Sequence, residues 1–568
     1  MMTSKPTEEQ VYQVPRWRMA LVLVAFAALL IVVMVRLVNL HMVQQDFLVQ
    51  QGEQRMVRSE VLPATRGVIT DRNGQPLAIS TPVKNVWVNP KHFDRTKVVK
   101  VARVLDLKAS DLAQRIARNS KKSFVYIKRN VSPEIAAELQ DLRAKGVYQE
   151  SAYRRFYPAA EVTSHLVGMV NIDGKGQEGI ELSYDEWLQG QEGEREIVKD
   201  LVGNAVKQLG VKSQAQPGND LKLTLDLRLQ YLAYRELKAA VQQHKANWGS
   251  AVLLDAHSGE ILALVNRPSY NPNNRSTLKP EEMRNRALTD IFEPGSTMKP
   301  FTVLSALETG RVAPSTVINT SPGYMRVKHK TIRDHRDYGK LSVSKIITKS
   351  SNIGVTKLAH DIGAETLWNT LHENGFGQAT ALGFPGEAVG ELPYPQRLDK
   401  LSLATLSYGY GLSVTPLQLA QAYTVFANNG CRQNAHLLMA NNVEPCQQVV
   451  EPRLANHVLN MLHTVTEKGG TGTRAKVKGY SVGGKTGTAH KVGGQGYEES
   501  EYTAIFAGVA PVSDPRYVLV VVIDQPQGKE YYGGEVAAPV FSRIMAGALR
   551  VMQQAPDAAA ELQVAGRL

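Results

Sequence analysis

At 568 residues the chain exceeds the roughly 250–300 residues of a single core, and 43% hydrophobic with 21% charged residues is ordinary for folded protein, so wholesale disorder is excluded and several domains are expected. Lys and Arg number 66 against 53 Asp and Glu, a net charge of +13. That balance suits an anionic membrane or polymer, and without a dense basic run interleaved with aromatics nucleic acid is not an expected partner.

In chain order the first element is "MALVLVAFAALLIVVMV", from Met19 to Val35, which carries no charge and continues past Arg36 into "LVNL". About twenty such residues cross a bilayer, and Arg16 and Arg18 ahead of them favour a cytoplasmic N-terminus. "RLVNLHMVQQDF" has no small-residue pair for cleavage, so an uncleaved anchor over 19–40 is expected after a tail of residues 1–18. Nearly everything after residue 40 then lies outside the cytoplasm.

From 41 to 220 the composition is mixed, as in a small α+β domain. "ATRGVITDRNGQPLAIS" reads as strand, Asn73-Gly74 turn, strand. "VSPEIAAELQDLRAKG" reads as a helix with Ser132 as N-cap, Pro133 at its first position and Gly146 past its end. "QAQPGND" (214–220) marks a boundary, after which "LKLTLDLRLQYLAYRELKAAVQQH" runs from strand into amphipathic helix. "SAVLLDAHSGEILALVN" is a hairpin, "YTAIFAGVAP" and "RYVLVVVID" are further strands, and "VAAPVFSRIMAGALRVM" is a long helix. Strands at both ends with helices between predict an α/β (α+β) domain over 221–555, its sheet covered by helices, with a loose tail at 556–568.

Cys431 and Cys446 stand in a polar stretch, and their spacing permits either a small disulfide or two free thiols. C-x-x-C and H-E-x-x-H are absent, so no metal site is expected.

"FEPGSTMKPF" holds Ser296-x-x-Lys299. The same spacing recurs at Ser276/Lys279 and Ser342/Lys345, but only Ser296 lies between a Pro-Gly turn and an apolar helix. There Lys299 falls one turn further on the same face, and the helix N-terminus offers N–H groups to an oxyanion. A buried, neutral Lys can take the proton that makes the hydroxyl nucleophilic. "KSSNIG" adds Ser350 and Asn352, a hydroxyl and an amide that a tight turn can aim into one site. "GYSVGGKTGT" matches a phosphate-binding loop letter for letter, yet Lys485 is followed by "TGTAHKVGGQG" rather than by a helix, and an exported domain meets no nucleotide. As a strand it puts Lys485 and Gly487 on one face and Thr486 and Thr488 on the other, with Gly487 open to a substrate backbone. "GGTGTR" (469–474) repeats Thr-Gly-Thr without the Lys and reads as a loop.

S-x-x-K, S-x-N and K-T-G in that order resemble the penicillin-binding proteins and serine β-lactamases. "RGVITDRNG", "RRFYP", "GIELSYDEWL" and "YGYGLSVTPLQLAQAY" are similar to class B penicillin-binding proteins, most of all their division-specific transpeptidases of Gram-negative bacteria. The resemblance implies a dimerisation-type pedestal over 41–220 and a β-lactamase-like transpeptidase domain over 221–555. Ser296 would attack the penultimate D-Ala carbonyl of a stem peptide, with Lys299 as base, Ser350 as proton relay, Asn352 positioning Lys299 and substrate, and Lys485 facing the substrate carboxylate. Thr486, Gly487 and Thr488 would bind substrate, the N–H groups of Ser296 and Thr488 would form the oxyanion hole, and Tyr410, Tyr502, Tyr531 and Tyr532 an aromatic wall. No cofactor is implied. The implied partners are stem peptides, β-lactams, a polytopic glycosyltransferase and other division proteins, at a septal site of the inner membrane with the catalytic domain periplasmic. An elongation-type or second paralogous transpeptidase, a D,D-carboxypeptidase and a non-catalytic scaffold are the alternatives.

Overall fold

The computed structural model describes residues 15–48, 50, 57–199, 205–440, 444–493 and 496–558. Residues 1–14 of the expected cytoplasmic tail and 559–568 of the expected loose tail lie outside the described residues. The expected anchor is a helix, Arg16–Val38, followed by a π-helical turn at Asn39–Val43. Its 23 residues span about 35 Å at 1.5 Å each, enough for a hydrocarbon core. None of its side chains is buried, so among the described residues nothing covers this apolar surface.

The chain divides into two compact units. One comprises residues up to 64, 84–151 and 191–216. It holds an antiparallel sheet of Val57–Leu62, Gly193–Lys199 and Ala205–Ser213, and a small core of Val86, Val101, Leu112, Ile127 and Leu139. Here the helix expected after Ser132 runs Pro133–Asp141, with Ser132 as N-cap and Pro133 leading. It stops short of Gly146, because Arg143 turns into the left-handed region at φ 44° and ends the helical path.

The second unit comprises 65–83, 152–190 and residues from 217 on. Three of the stretches behind the family resemblance meet in it. Glu181, fully buried, accepts from Arg66 Nε at 2.6 Å and Arg155 Nε at 2.6 Å, and Arg66 also reaches Asp185 at 2.7 Å. A charge set this buried is costly to break, since removing one partner strands another away from water.

The rest of this unit is a sheet between helices. In chain order its main elements are α1 (Leu227–Gln243), β1 (Trp248–Asp255), β2 (Ile261–Arg267), α2 (Lys299–Glu308), α3 (Val343–Lys349), α4 (Asn352–Ile362), α5 (Pro416–Ala427), α6 (Pro452–Thr466), β3 (Gly483–Gly493), β4 (Gly496–Ala510), β5 (Tyr517–Asp524) and α7 (Gly533–Val551). The strands are antiparallel in the order β2-β1-β5-β4-β3, so β3 lies at an edge. Every residue of β5 is buried, which is why "YVLVVVID" is apolar at consecutive positions. Its Leu519, Val521 and Ile523 pack into one cluster with Leu237 of α1 and Phe541 of α7. Val518, Val520 and Val522 belong to the opposite cluster, with Phe301 of α2 and Phe426 of α5. Each such side chain contributes about 1.5–3 kcal/mol on burial. Thr415 and Gln418 form a capping box that starts α5, with Pro416 in its first turn.

Cys431 and Cys446 form a disulfide, which settles the choice left open by their spacing. The stretch expected as a loose tail is described only at residues 556–558. Asp557 accepts from Ser481 N at 2.7 Å and Ser513 Oγ at 2.6 Å, so this carboxylate ties the chain down after α7.

Candidate active site

Three segments of different origin converge at the edge strand. The first is the turn Gly295–Met298, a 3₁₀ turn that runs directly into α2 at Lys299. In a 3₁₀ turn residues three apart eclipse, so Ser296 and Lys299 stack more directly than in the α-helical turn expected from the sequence. The turn is fastened from behind: Gly295 N donates to Gly409 O at 3.0 Å, and the buried Tyr423 hydroxyl donates to Thr297 O at 2.8 Å.

The second segment is the junction of α3 and α4. Ser350 ends α3 in the left-handed region, at φ 57° and ψ 42°, an unusual setting for a residue with a Cβ. The bend lets Ser351 cap α4, its Oγ accepting from Gly354 N at 2.9 Å. Asp334 reinforces it from a neighbouring loop. Its carboxylate accepts from Asn352 N at 2.6 Å, Ile353 N at 3.1 Å and Ser351 Oγ at 2.6 Å, an anion seated on a helix N-terminus. Asn352 Nδ2 donates to Arg333 O at 2.9 Å, which fixes the amide with Oδ1 toward the site.

The third segment is β3. Lys485 is fully buried, as is Lys299. Lys299 Nζ donates to Ser350 O at 2.5 Å, Ser350 Oγ at 3.0 Å and Asn352 Oδ1 at 2.7 Å. Lys485 Nζ lies 3.0 Å from the same Ser350 Oγ, 3.0 Å from Thr486 O and 3.3 Å from Thr486 Oγ1. One hydroxyl thus bridges two amines. Burial pushes Lys299 down to about 7, with Asp334 holding it up against that trend. Burial first, and Lys299 second, hold Lys485 well below the usual lysine range. Burial and both amines likewise lower His335. An amine near neutrality next to a serine hydroxyl is equipped to accept and return a proton.

At Gly487 a Cβ would meet Pro294 O at 2.9 Å and Thr297 Cγ2 at 3.0 Å, so the missing side chain makes room for the Ser296 turn. Thr488 Oγ1 accepts from Gly533 N at 3.0 Å, and Thr486 Oγ1 pairs with Thr471 Oγ1 at 2.9 Å. Thr486 and Thr488 therefore turn toward the loop that follows α6 and toward the start of α7.

The four tyrosines join one aromatic series. Tyr502 stacks on Tyr531 at 4.4 Å, Tyr531 lies 4.3 Å from Tyr532, and His490 and His335 extend the series at 4.7 Å and 5.9 Å. Tyr410 joins through its hydroxyl, which accepts from His490 N at 3.2 Å. His335 follows Asp334, so the series ends on the loop that holds the Ser350 junction. Ser342, one of the two competing S-x-x-K serines, caps α3 by accepting from Lys345 N at 3.2 Å.

Asp334 and His335 lie in no stretch that the sequence singles out, and Gly409, Tyr423 and Thr471 lie in such stretches without a role being read for them; only the fold brings all five beside the site.

A serine-bearing turn that opens a helix, a serine–asparagine junction and a lysine-bearing edge strand on a helix-covered antiparallel sheet are the parts of a serine acyl-transfer enzyme. The penicillin binding protein transpeptidase domain family matches residues 249–546 and the penicillin-binding protein dimerisation domain family residues 61–223, so the chain belongs to the class B penicillin-binding proteins. It is 42% identical to peptidoglycan D,D-transpeptidase FtsI of Escherichia coli K12, over 98% of this chain and 95% of that one. It is 43% identical to the probable peptidoglycan D,D-transpeptidase PbpC of Pseudomonas aeruginosa, over 95% and 96%. Among solved structures, penicillin-binding protein 3 of Mycobacterium tuberculosis in complex with aztreonam aligns with a TM-score of 0.68 and 27% identity, covering 88% of this chain and 99% of that one.

Proposed function

We propose that this chain is a peptidoglycan D,D-transpeptidase that cross-links stem peptides at the division septum and is acylated by β-lactams. The observation that carries the reading is the single hydroxyl, Ser350 Oγ, held 3.0 Å from both Lys299 Nζ and Lys485 Nζ beside the Ser296 turn. Ser296 Oγ adds to the penultimate D-Ala carbonyl while Lys299 takes its proton. The N–H groups of Ser296 and Thr488 hold the oxyanion. Collapse breaks the amide, and Ser350 passes a proton from the amines to the departing D-Ala nitrogen. The amine of a second stem then attacks the Ser296 ester, and Oγ regains its proton as the cross-link forms. Asn352 orients Lys299, and Lys485 with Thr486 and Thr488 meets the substrate carboxylate. Tyr410, Tyr502, Tyr531 and Tyr532 line the approach.

Residues 41–220 act as the pedestal and 221–555 as the transpeptidase domain. The N-terminus is cytoplasmic, the catalytic domain is periplasmic, and a polytopic glycosyltransferase with other division proteins docks to the membrane-proximal part.

Intact-protein mass spectrometry with a penicillin tests the nucleophile. One adduct is expected on the parent and none on Ser296→Ala, and an acylated Ser296→Ala refutes the assignment. Cross-linked product formed with an added acceptor amine separates transpeptidase from carboxypeptidase.

A further inference from the structure

Thr-Gly-Thr occurs twice in the chain, at 471–473 and at 486–488, and the acyl-transfer reading uses only the second. The fold brings the two together. Thr471 Oγ1 lies 2.9 Å from Thr486 Oγ1, Thr486 Oγ1 lies 3.3 Å from Lys485 Nζ, and Lys485 Nζ lies 3.0 Å from Ser350 Oγ. Four polar groups thus run in file from the proton relay to a loop outside the known motifs.

The loop is built to hold this position. Gly472 N donates to Val465 O at 2.9 Å, and a Cβ on Gly470 would sit 2.0 Å from that same oxygen, so only glycine lets the loop press onto the end of α6. Lys349 Nζ at the end of α3 adds a bond to Gly469 O at 2.6 Å.

We propose that Thr471 is a positioning residue for acyl transfer, giving Thr486 a hydroxyl partner that can reverse its hydrogen bond as Lys485 gains or loses a proton. The proposal rests on the acyl-transfer reading above. A charged Lys485 has three hydrogens for three acceptors, Ser350 Oγ, Thr486 O and Thr486 Oγ1. Thr486 then accepts from Lys485 and must donate its own hydrogen, which Thr471 Oγ1 receives. A neutral Lys485 has two hydrogens and a lone pair. Thr486 can then donate to that lone pair while Thr471 donates to Thr486. The direction of the Thr471–Thr486 bond follows the charge on Lys485, and only a hydroxyl at 471 serves both directions.

Titratable and charged groups around the site include Lys299 on α2, Asp334 and His335 on the loop before α3, Lys349 at the end of α3, His463 on α6, whose Nδ1 lies 3.0 Å from Val482 O, Arg474 just after the Thr471 loop, and Glu535 in the first turn of α7. On β4 the residues opposite Lys485 and Thr486 are Ala507 and Phe506, which carry no charge.

The test is the second-order rate constant for acylation of the full chain in detergent by a fluorescent penicillin, measured from pH 5.5 to 9.5. Thr471→Val removes the hydroxyl at nearly constant shape, Thr471→Ser keeps it, and Thr471→Ala repeats the removal should the valine disturb packing. Loss of one reversible hydrogen bond gives about a five- to tenfold slower Thr471→Val and Thr471→Ala, with a displaced pH profile, and Thr471→Ser within about twofold of the parent. All should bind one penicillin per chain at completion, which separates slow chemistry from misfolding. Parental rates and profile in Thr471→Val, or Thr471→Ser as slow as Thr471→Val, overturn the proposal. A parent that takes up no penicillin overturns the acyl-transfer reading itself and the proposal with it.

Discussion

Asp334→Asn is the most informative single substitution outside the recognised motifs. It is nearly isosteric, yet it replaces an acceptor-only group with one that is half donor. The native carboxylate accepts from Asn352 N, Ile353 N and Ser351 Oγ, all within 3.1 Å. An amide oxygen can keep the two N–H bonds, but its NH₂ then meets the Ser351 hydroxyl, which must turn acceptor and leave its own hydrogen without the carboxylate, and the charge assistance of all three bonds is lost. A hydrogen bond to a charged group contributes about 1.5–3 kcal/mol, and Asp334 is half-buried, so about 2 kcal/mol is lost at the α3–α4 junction. If that loss falls on the arrangement holding Asn352 against Lys299, acylation slows about 30-fold at 1.4 kcal/mol per decade. The sign of the pH effect is independent of that magnitude. The Asp334 charge raises Lys299 against burial, so removing it lowers Lys299 further and leaves the amine neutral at lower pH. The acid limb of the acylation profile should therefore move to lower pH, and the deficit should be smaller at pH 6 than at pH 8. Stopped-flow acylation by a fluorescent penicillin measures both. Parental rates with an unmoved acid limb would falsify the account of Asp334 as the anchor of the Ser350–Asn352 junction.

Two further outcomes follow from burial and from covalent closure. Lys299 and Lys485 have depressed values in the folded state, so between about pH 7 and the free-lysine range the unfolded chain binds protons that the native chain does not. Stability should then rise with pH through that window, and Lys299→Met should flatten the rise by up to about 1.4 kcal/mol per pH unit in denaturant melts. An unchanged slope would show that the amine is not held neutral. The Cys431–Cys446 bond closes a loop of sequence separation 15, worth about 3 kcal/mol of chain entropy. Cys446→Ser is expected to lower Tm by about 5–10 °C with the acylation rate unchanged, because none of the loop's described residues contributes a group to the site. A parental Tm would contradict the estimate.

Much of this protein was legible before any fold was known, and the reasons are local. The anchor is an uninterrupted apolar run. β5 is apolar at every position because both its faces are covered. Pro133 after Ser132 and Pro416 after Thr415 announce helix starts whose capping geometry depends on a few adjacent residues. Ser296, Lys299, Ser350, Asn352 and Lys485 were visible because each sits in a short string whose residue types are chemically unusual together.

Long-range proximity was not legible. That Gly487 must lack a side chain became plain only from the packing of β3 on Pro294 and Thr297. Asp334 is one aspartate among many until α4 begins beside it, and Thr471 is a loop threonine until α6 and β3 set it against Thr486. By itself the sequence determined which groups could do chemistry and which elements would carry them. Tertiary structure decided that two buried lysines share one serine hydroxyl, because a neutralised amine requires burial and a partner from a distant segment, and neither is a property of any single stretch of chain.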